Sequence, residues 1–168
     1  MLAVFVIELI LPGNFSWLGI RPRRISGLIG IATSPFLHAD FRHLFANAMP
    51  LLILGSLVSA LQPSLFVSRT VALIAISGLL TWLISSSGVV IGASGLVFAY
   101  WSYLMTNGFL QRRVKDIIVA VVTFFVYGAL IFGLFRVEYG VSWAGHFSGA
   151  VAGVVLAFIQ KRGAKSLP

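Results

Sequence analysis

The chain has 168 residues, 59% of them apolar and only 10% charged, where a soluble domain carries roughly 25% charged residues; its mean hydropathy is +1.02. No water-soluble fold of this length hides that much apolar surface, so residues 1–168 read as one all-α membrane-embedded helical bundle in contact with the lipid bilayer, with no stock left for a second domain. The net charge of +8 does not signal nucleic-acid binding, because the basic residues lie in gaps between apolar segments, and the lack of cysteine removes disulfides, thiol chemistry and Cys-based metal sites.

A helix needs about 20 apolar residues to cross a hydrocarbon core of about 30 Å. The first apolar stretch, Met1–Leu11, reaches only about half of that before Pro12-Gly13-Asn14. It lacks the basic start of a signal peptide. It is therefore either an unusually short first helix or the end of one that begins upstream, and Glu8 within it has no evident role. The connection from Pro12 to Asp40 mixes Trp17, Leu18, Ile20, Ile25, Leu28, Ile29 and Ile31 with Arg21, Arg23 and Arg24. It predicts a partly helical loop lying on the outer leaflet.

Five longer stretches follow: His43–Leu61, Val67–Ile84, Ile91–Thr106, Val114–Phe135 and Trp143–Gln160. The gaps carry breakers and charges: Gln62-Pro63-Ser64, Ser85-Ser86-Ser87-Gly88, Asn107-Gly108 with Gln111-Arg112-Arg113, and Arg136-Val137-Glu138-Tyr139-Gly140. Arg112, Arg113 and Lys115 mark one cytoplasmic loop, and Lys161, Arg162 and Lys165 a cytoplasmic tail. Counting back puts Ser85–Ile91 and Arg136–Ser142 outside and Arg69 inside. The three arginines of the first connection then fall outside, against the usual bias, which long loops obey poorly.

Polar groups deep in lipid are costly and so mark functional sites. Three clusters qualify, all at the outer ends of spans. In "HADFRHLFANAMP", His43 and Asn47 are four residues apart and stack on one helix face. Each has a donor for the same point, and interhelical glue is an equal reading of that pair alone. Asp40 has the look of an N-cap, and Pro50 removes a backbone donor lower in the helix. His38 lies five residues before His43, which on a helix would be about 140° away, so the two are poor partners for a shared metal. His38 reads as a brace at the helix entry.

The second cluster is Gly92-Ala93-Ser94-Gly95, and the third is "SWAGHFSGAVAG" with His146. Gly145, Gly149 and Gly153 recur every four residues as a smooth stripe that lets two helix backbones pack closely. If the stripe packs on the helix that starts at Ser94, imidazole meets hydroxyl. A serine hydroxyl becomes a strong nucleophile only when an adjacent base takes its proton, and the oxyanion it creates needs donors. Asn47, His43 and the Ser94 amide could supply them.

These motifs, in this order, resemble the rhomboid family of intramembrane serine proteases: His43-Leu-Phe-Ala-Asn47, Gly92-Ala-Ser94-Gly95 and Gly145-His146-Phe-Ser-Gly149. The resemblance implies a polytopic bundle with a rhomboid-like six-helix core, here with a short or truncated first helix. It implies a catalytic Ser94–His146 dyad with no acidic third member. The oxyanion hole would be His43, Asn47 and the Ser94 amide, with His38, Gly92, Gly95, Phe98 and Gly149 in support. Phe98 takes an aromatic position that packs on the catalytic imidazole, where many relatives have tyrosine. The first loop departs from the family, offering "RPRRISGLIG" where many relatives carry a Trp-Arg pair. The resemblance also implies substrates that are single-span membrane proteins cut near the outer face, no cofactor and no metal, in a multi-pass protein of a prokaryotic plasma membrane.

Other intramembrane chemistries find no residues. There is no His-Glu-x-x-His for zinc, and Asp40 and Asp116 flank spans and cannot form a buried pair. The alternative function is a non-proteolytic rhomboid-like binder of transmembrane clients, although such relatives have usually lost the serine or the histidine. A transporter would predict an internal repeat or embedded acids, and neither is present.

Overall fold

The computed structural model describes residues 1–11, 13, 15–86, 88–134 and 142–165, with side chains as far as residue 161. The order of elements is α1 (Leu2–Ile10), α2 (Gly30–Thr33), α3 (Phe41–Leu61), α4 (Phe66–Ile84), α5 (Ser94–Gln111), α6 (Val114–Tyr127), α7 (Leu130–Gly133) and α8 (Trp143–Lys165). Short 3-10 turns punctuate the first connection and precede α4. The fold is an all-helical bundle, and among the described residues extended pairing is limited to one bridge between Ile20 and Val90.

The bundle is built around α5. Its residues Leu96–Tyr100, Ser102–Leu104, Asn107, Gly108 and Leu110 are buried, and α8, α6, α3 and α4 all pack on it. A helix so enclosed can carry serine, asparagine and tyrosine, because its neighbours and not the helix itself meet the lipid. The enclosing helices show the reverse pattern. Among the described residues α3, α4 with its preceding turn, and α8 are each long and apolar enough to cross a membrane. Large side chains such as Leu52, Val67, Phe125 and Phe132 stand exposed; exposed apolar area on this scale marks an interaction surface, here the surface turned to lipid.

The sequence placed the span boundaries imperfectly, for local physical reasons. Gly92 has φ +104, which holds Ile91–Ala93 out of the helix, so α5 begins at Ser94. The helix runs on through Asn107 and Gly108, expected as breakers. Asn107 Nδ2 donates to Asp116 Oδ1 at 2.7 Å, and Gly108 lets α6 approach where a Cβ would strike Ala120 and the Asp116 carbonyl. Arg112, at φ 57, ends α5 instead. Asp116 stands in the first turn of α6, at the flank of the span as expected, but is buried at 4% exposure; its partner is an amide and not a second carboxylate. The expected span Val114–Phe135 is interrupted. At Gly128 the backbone turns to three-residue bonds, Ile131 N to Gly128 O and Phe132 N to Ala129 O, and α7 follows; residues 135–141 lie outside the described residues.

Asp40 caps α3 as expected, its Oδ1 accepting from the His43 amide at 2.7 Å. The first connection is more deeply seated than a loop lying on the leaflet. Ile20 is 3% exposed, and Ile31 sits against Gly78 of α4, where a Cβ would lie 2.7 Å from it. Trp17, Ile25 and Ile29 remain exposed.

At the opposite end of the bundle, Arg69 is buried without a carboxylate. Its Nε donates to Gln160 Oε1 at 3.1 Å and its Nη2 to Gln62 Oε1 at 2.9 Å. The guanidinium also lies 5.3 Å over the Tyr103 ring, whose hydroxyl donates to the same Gln160 oxygen. Reading Arg69 only as a charge on the inner side did not foresee this clamp across α4, α5 and α8.

Candidate active site

Ser94 is delivered by an extended segment pinned to the first connection. Ile20 N donates to Val90 O, and Val90 N to Ile20 O, both at 2.9 Å, and Gly92 N donates to Ser34 O at 2.9 Å. These bonds press Gly92 against α3. A Cβ there would lie 2.6 Å from His43 Nε2, 2.7 Å from its Cε1 and 3.4 Å from Asn47 Nδ2. Glycine is required twice over, for its positive φ and for this contact. The consequence is that the two polar residues of α3 meet the segment leading into Ser94. The Ser94 N–H then stands in the first turn of α5, where amides have no helical partner.

Asn47 is buried at 5% exposure, and its Nδ2 donates to the His43 carbonyl one turn back at 3.0 Å. A primary amide has two N–H donors, so one is left. That local bond holds the amide beside Gly92 and ties it to its own helix, not to another.

The glycine stripe of α8 lies on α5. At Gly149 a Cβ would overlap the Gly95 carbonyl oxygen and lie 3.1 Å from Phe98 Cβ, and at Gly153 it would overlap Ser102 Oγ and Ala99 O. A Cβ on Gly95 would lie 3.4 Å from Gly145 O. Ser94 and His146 therefore flank a backbone-to-backbone contact between the two helices. The start of α8 is held by Ser142, whose Oγ accepts from Gly145 N at 3.1 Å.

The His146 ring stacks on Phe98 with centroids 4.3 Å apart and planes at 17°. Its Nδ1 lies 3.0 Å from Gly133 O. A carbonyl can only accept, so Nδ1 carries the proton and Nε2 is left as the basic nitrogen. α7 is packed tightly over this pair, since a Cβ on Gly133 would lie 2.9 Å from Phe98 Cζ. Ser94, His43 and His146 are all half-buried and so open to solvent or substrate. Among the described residues the Ser94 hydroxyl forms no hydrogen bond to His146; such bonds are often long in an empty site and tighten on the substrate. Ser94 also borders a cavity of about 30 Å³ shared with Ser34, Ser77 and Thr81, enough for one water.

His38 is buried at 5% exposure, and its ring lies 5.1 Å from that of His43 in an edge-to-face contact. The helical-angle argument that separated the two does not apply, because His38 precedes the Asp40 cap and is not on α3. Burial first, and the charge of His43 second, push its pKa down to about 4, with the Phe36 backbone opposing. Neither ring nitrogen meets hydrogen-bond geometry with a partner. No group of three His, Asp or Glu side chains among the described residues could hold a metal ion.

Sequence reasoning missed the Gly133 carbonyl and the Ile20–Val90 pairing, because a backbone group has no signature in residue type. It also missed Ser77 and Thr81, whose four-residue spacing in an apolar helix is a readable polar pair.

The chain matches the rhomboid domain over residues 26–163. It is 44% identical over 150 residues to an uncharacterised protein of Mycobacterium tuberculosis and to one of Mycobacterium bovis, covering 84% of this chain and 62% of each of theirs. To an uncharacterised protein of Mycobacterium leprae it is 40% identical over 150 residues, covering 84% of this chain and 59% of that one. The chain thus spans less than two thirds of the length of these relatives. A rhomboid match across most of an all-helical, membrane-compatible bundle settles the family: the chain is a member of the rhomboid family.

Proposed function

We propose that this chain is an intramembrane serine endopeptidase, with Ser94 as nucleophile and His146 as general base, in a multi-pass protein of a prokaryotic plasma membrane. Rhomboid domains generally belong to serine proteases, and the similarity to mycobacterial proteins supports a prokaryotic setting. The observation that carries the reading is the state of His146. Its Nδ1–H is donated to Gly133 O and its ring is stacked on Phe98, so Nε2 is the free base beside the helix that begins at Ser94.

Nε2 takes the Ser94 proton as Oγ attacks the scissile carbonyl carbon. Negative charge collects on the carbonyl oxygen and is met by the spare Asn47 N–H, His43 and the Ser94 amide. As the tetrahedral intermediate collapses, the C–N bond breaks and His146 returns its proton to the leaving amine. Water then gives its proton to Nε2 and attacks the acyl ester, releasing the carboxylic acid and restoring the Ser94 hydroxyl. The substrate class is a single-span membrane protein whose helix unwinds near the Ser94 end of the bundle to expose a peptide carbonyl.

The test is incubation of the purified chain in detergent with a generic single-span substrate, alongside Ser94→Ala. Cleavage by wild type and none by Ser94→Ala is expected. Cleavage that survives in Ser94→Ala would end the serine-protease reading, and a folded wild type that binds the substrate without cutting it would favour the client-binding alternative.

A further inference from the structure

A cavity of about 580 Å³ opens between the first connection and the end of α4, lined by Arg21, Arg23, Arg24, Ser86 and Gly88 among others. Its three arginines are not equivalent. Arg23 adopts φ 55, a conformation side-chain-bearing residues rarely take. There its guanidinium is spent on carbonyls at the end of α4: Nη1 donates to Leu83 O at 3.1 Å and Ser85 O at 2.6 Å, and Nη2 to Ser86 O at 3.4 Å. A cation suits the carbonyl end of a helix. The backbone around it is fixed as well. Arg23 N donates to Trp82 O at 3.1 Å, Trp82 Nε1 to Arg24 O at 2.9 Å, and Gly27 sits directly on the Arg21 backbone.

Arg21 and Arg24 flank this rigid wall with side chains that form no hydrogen bond or ion pair among the described residues. None of the three described carboxylates pairs with them: Asp40 caps α3, Asp116 is bound to Asn107, and Glu8 Oε2 is buried without a hydrogen-bond partner. The same first connection bears exposed apolar side chains, Trp17 at 53%, Ile25 at 86% and Ile29 at 51%. Unpaired guanidinium groups beside an apolar skirt are the composition of a surface at the headgroup level of a bilayer. Guanidinium binds phosphate oxygens in a matching fork.

We propose that Arg21 and Arg24 form a binding site for the phosphate headgroup of an anionic phospholipid, with Ile25 and Trp17 against its glycerol and upper acyl chains. This site accounts for the outward arginines that break the positive-inside pattern: Arg23 is neutralised by helix-end carbonyls, and Arg21 and Arg24 by lipid phosphate. Val89 of the cavity wall leads directly into the paired segment that delivers Ser94, so a bound lipid steadies that segment. The assignment does not depend on the proteolytic reading.

The experiment places the purified chain in phosphatidylcholine nanodiscs with a minor share of phosphatidylglycerol, and counts lipids retained after release into detergent by native mass spectrometry. Wild type is expected to retain phosphatidylglycerol over phosphatidylcholine, and the double variant R21Q/R24Q to bind it about 30-fold more weakly, at about a fivefold loss per basic residue near an anionic surface. R112Q/R113Q, at the other end of the bundle, should match wild type. Should the double variant fold poorly, R24Q alone, with an intermediate loss, serves the same comparison. Inorganic phosphate is titrated separately; displacement of the lipid by millimolar phosphate would make this a free-anion site and overturn the proposal. Equal retention of both lipids by wild type, or unchanged phosphatidylglycerol binding by R21Q/R24Q and R24Q, would also overturn it. So would an effect of the variants confined to cleavage of substrates with acidic flanks, which would make the arginines a substrate contact.

Discussion

Gly149→Ala tests how far the site depends on the approach of α8 to α5. The added methyl would overlap the Gly95 carbonyl oxygen, lie 2.9 Å from the Gly95 carbonyl carbon and 3.1 Å from Phe98 Cβ. Carbon contacts are comfortable at about 3.5–4.0 Å, so the helices must part by roughly 1 Å. Overpacking of this kind costs about 1–3 kcal/mol, and the better helix propensity of alanine returns about 1 kcal/mol. Net destabilisation is therefore small, about 0–2 kcal/mol. Catalysis is less forgiving: a misplacement of about 1 Å between reacting groups costs about 100-fold. The assay is turnover of a single-span substrate, with thermal unfolding measured on the same preparation. Gly95→Ala is the control, because its methyl would lie 3.4 Å from Gly145 O, an ordinary contact. Gly149→Ala should lose about two orders of magnitude in kcat with a modest drop in Tm, while Gly95→Ala stays near wild type. Native kcat in Gly149→Ala, or equal damage in both variants, would refute the reasoning.

Asn47→Ala should lower kcat by about 100- to 1000-fold with KM little changed, if its spare N–H serves the oxyanion; a destabilised variant with normal turnover would make Asn47 structural. His38 is neutral in the folded state down to about pH 4, against 6.5 unfolded, so the unfolded chain binds more protons between those values. Stability should be fully present above pH 6.5 and fall by about 3 kcal/mol as pH drops to 4. His38→Gln should flatten that slope in acid unfolding curves. Arg69→Ala should lower thermal stability by about 1.5–3 kcal/mol, as buried Tyr103, half-buried Gln160 and exposed Gln62 lose a charged partner. The kcat of the surviving folded protein should hold, because the clamp is at the end of α4 remote from Ser85, on the far side of the bundle from Ser94.

The candidate site residues were legible in the sequence because membrane burial makes each polar group conspicuous. His43, Asn47, Ser94 and His146 stand out against apolar surroundings. The four-residue glycine spacing correctly foretold the seam between α5 and α8. Three features were not legible. Asn107 and Gly108 look like a loop locally and become helical only because Asp116 and Ala120 pack on them. The interruption at Gly128 looks like ordinary apolar helix, and it is what creates the Gly133 carbonyl contact with His146. His38 and His43 were set apart by a helical period that does not extend past the Asp40 cap. In the first case packing by the next helix overrode the local pattern, and in the last a local cap ended the helical period.

The most direct test of the central claim is labelling with a fluorophosphonate, which reacts only with an activated serine. Wild type should be modified at Ser94, identified by peptide mass spectrometry, and His146→Ala should remain unlabelled while still folded. Modification of another serine, or labelling of Ser94 at the wild-type rate in His146→Ala, would contradict the account.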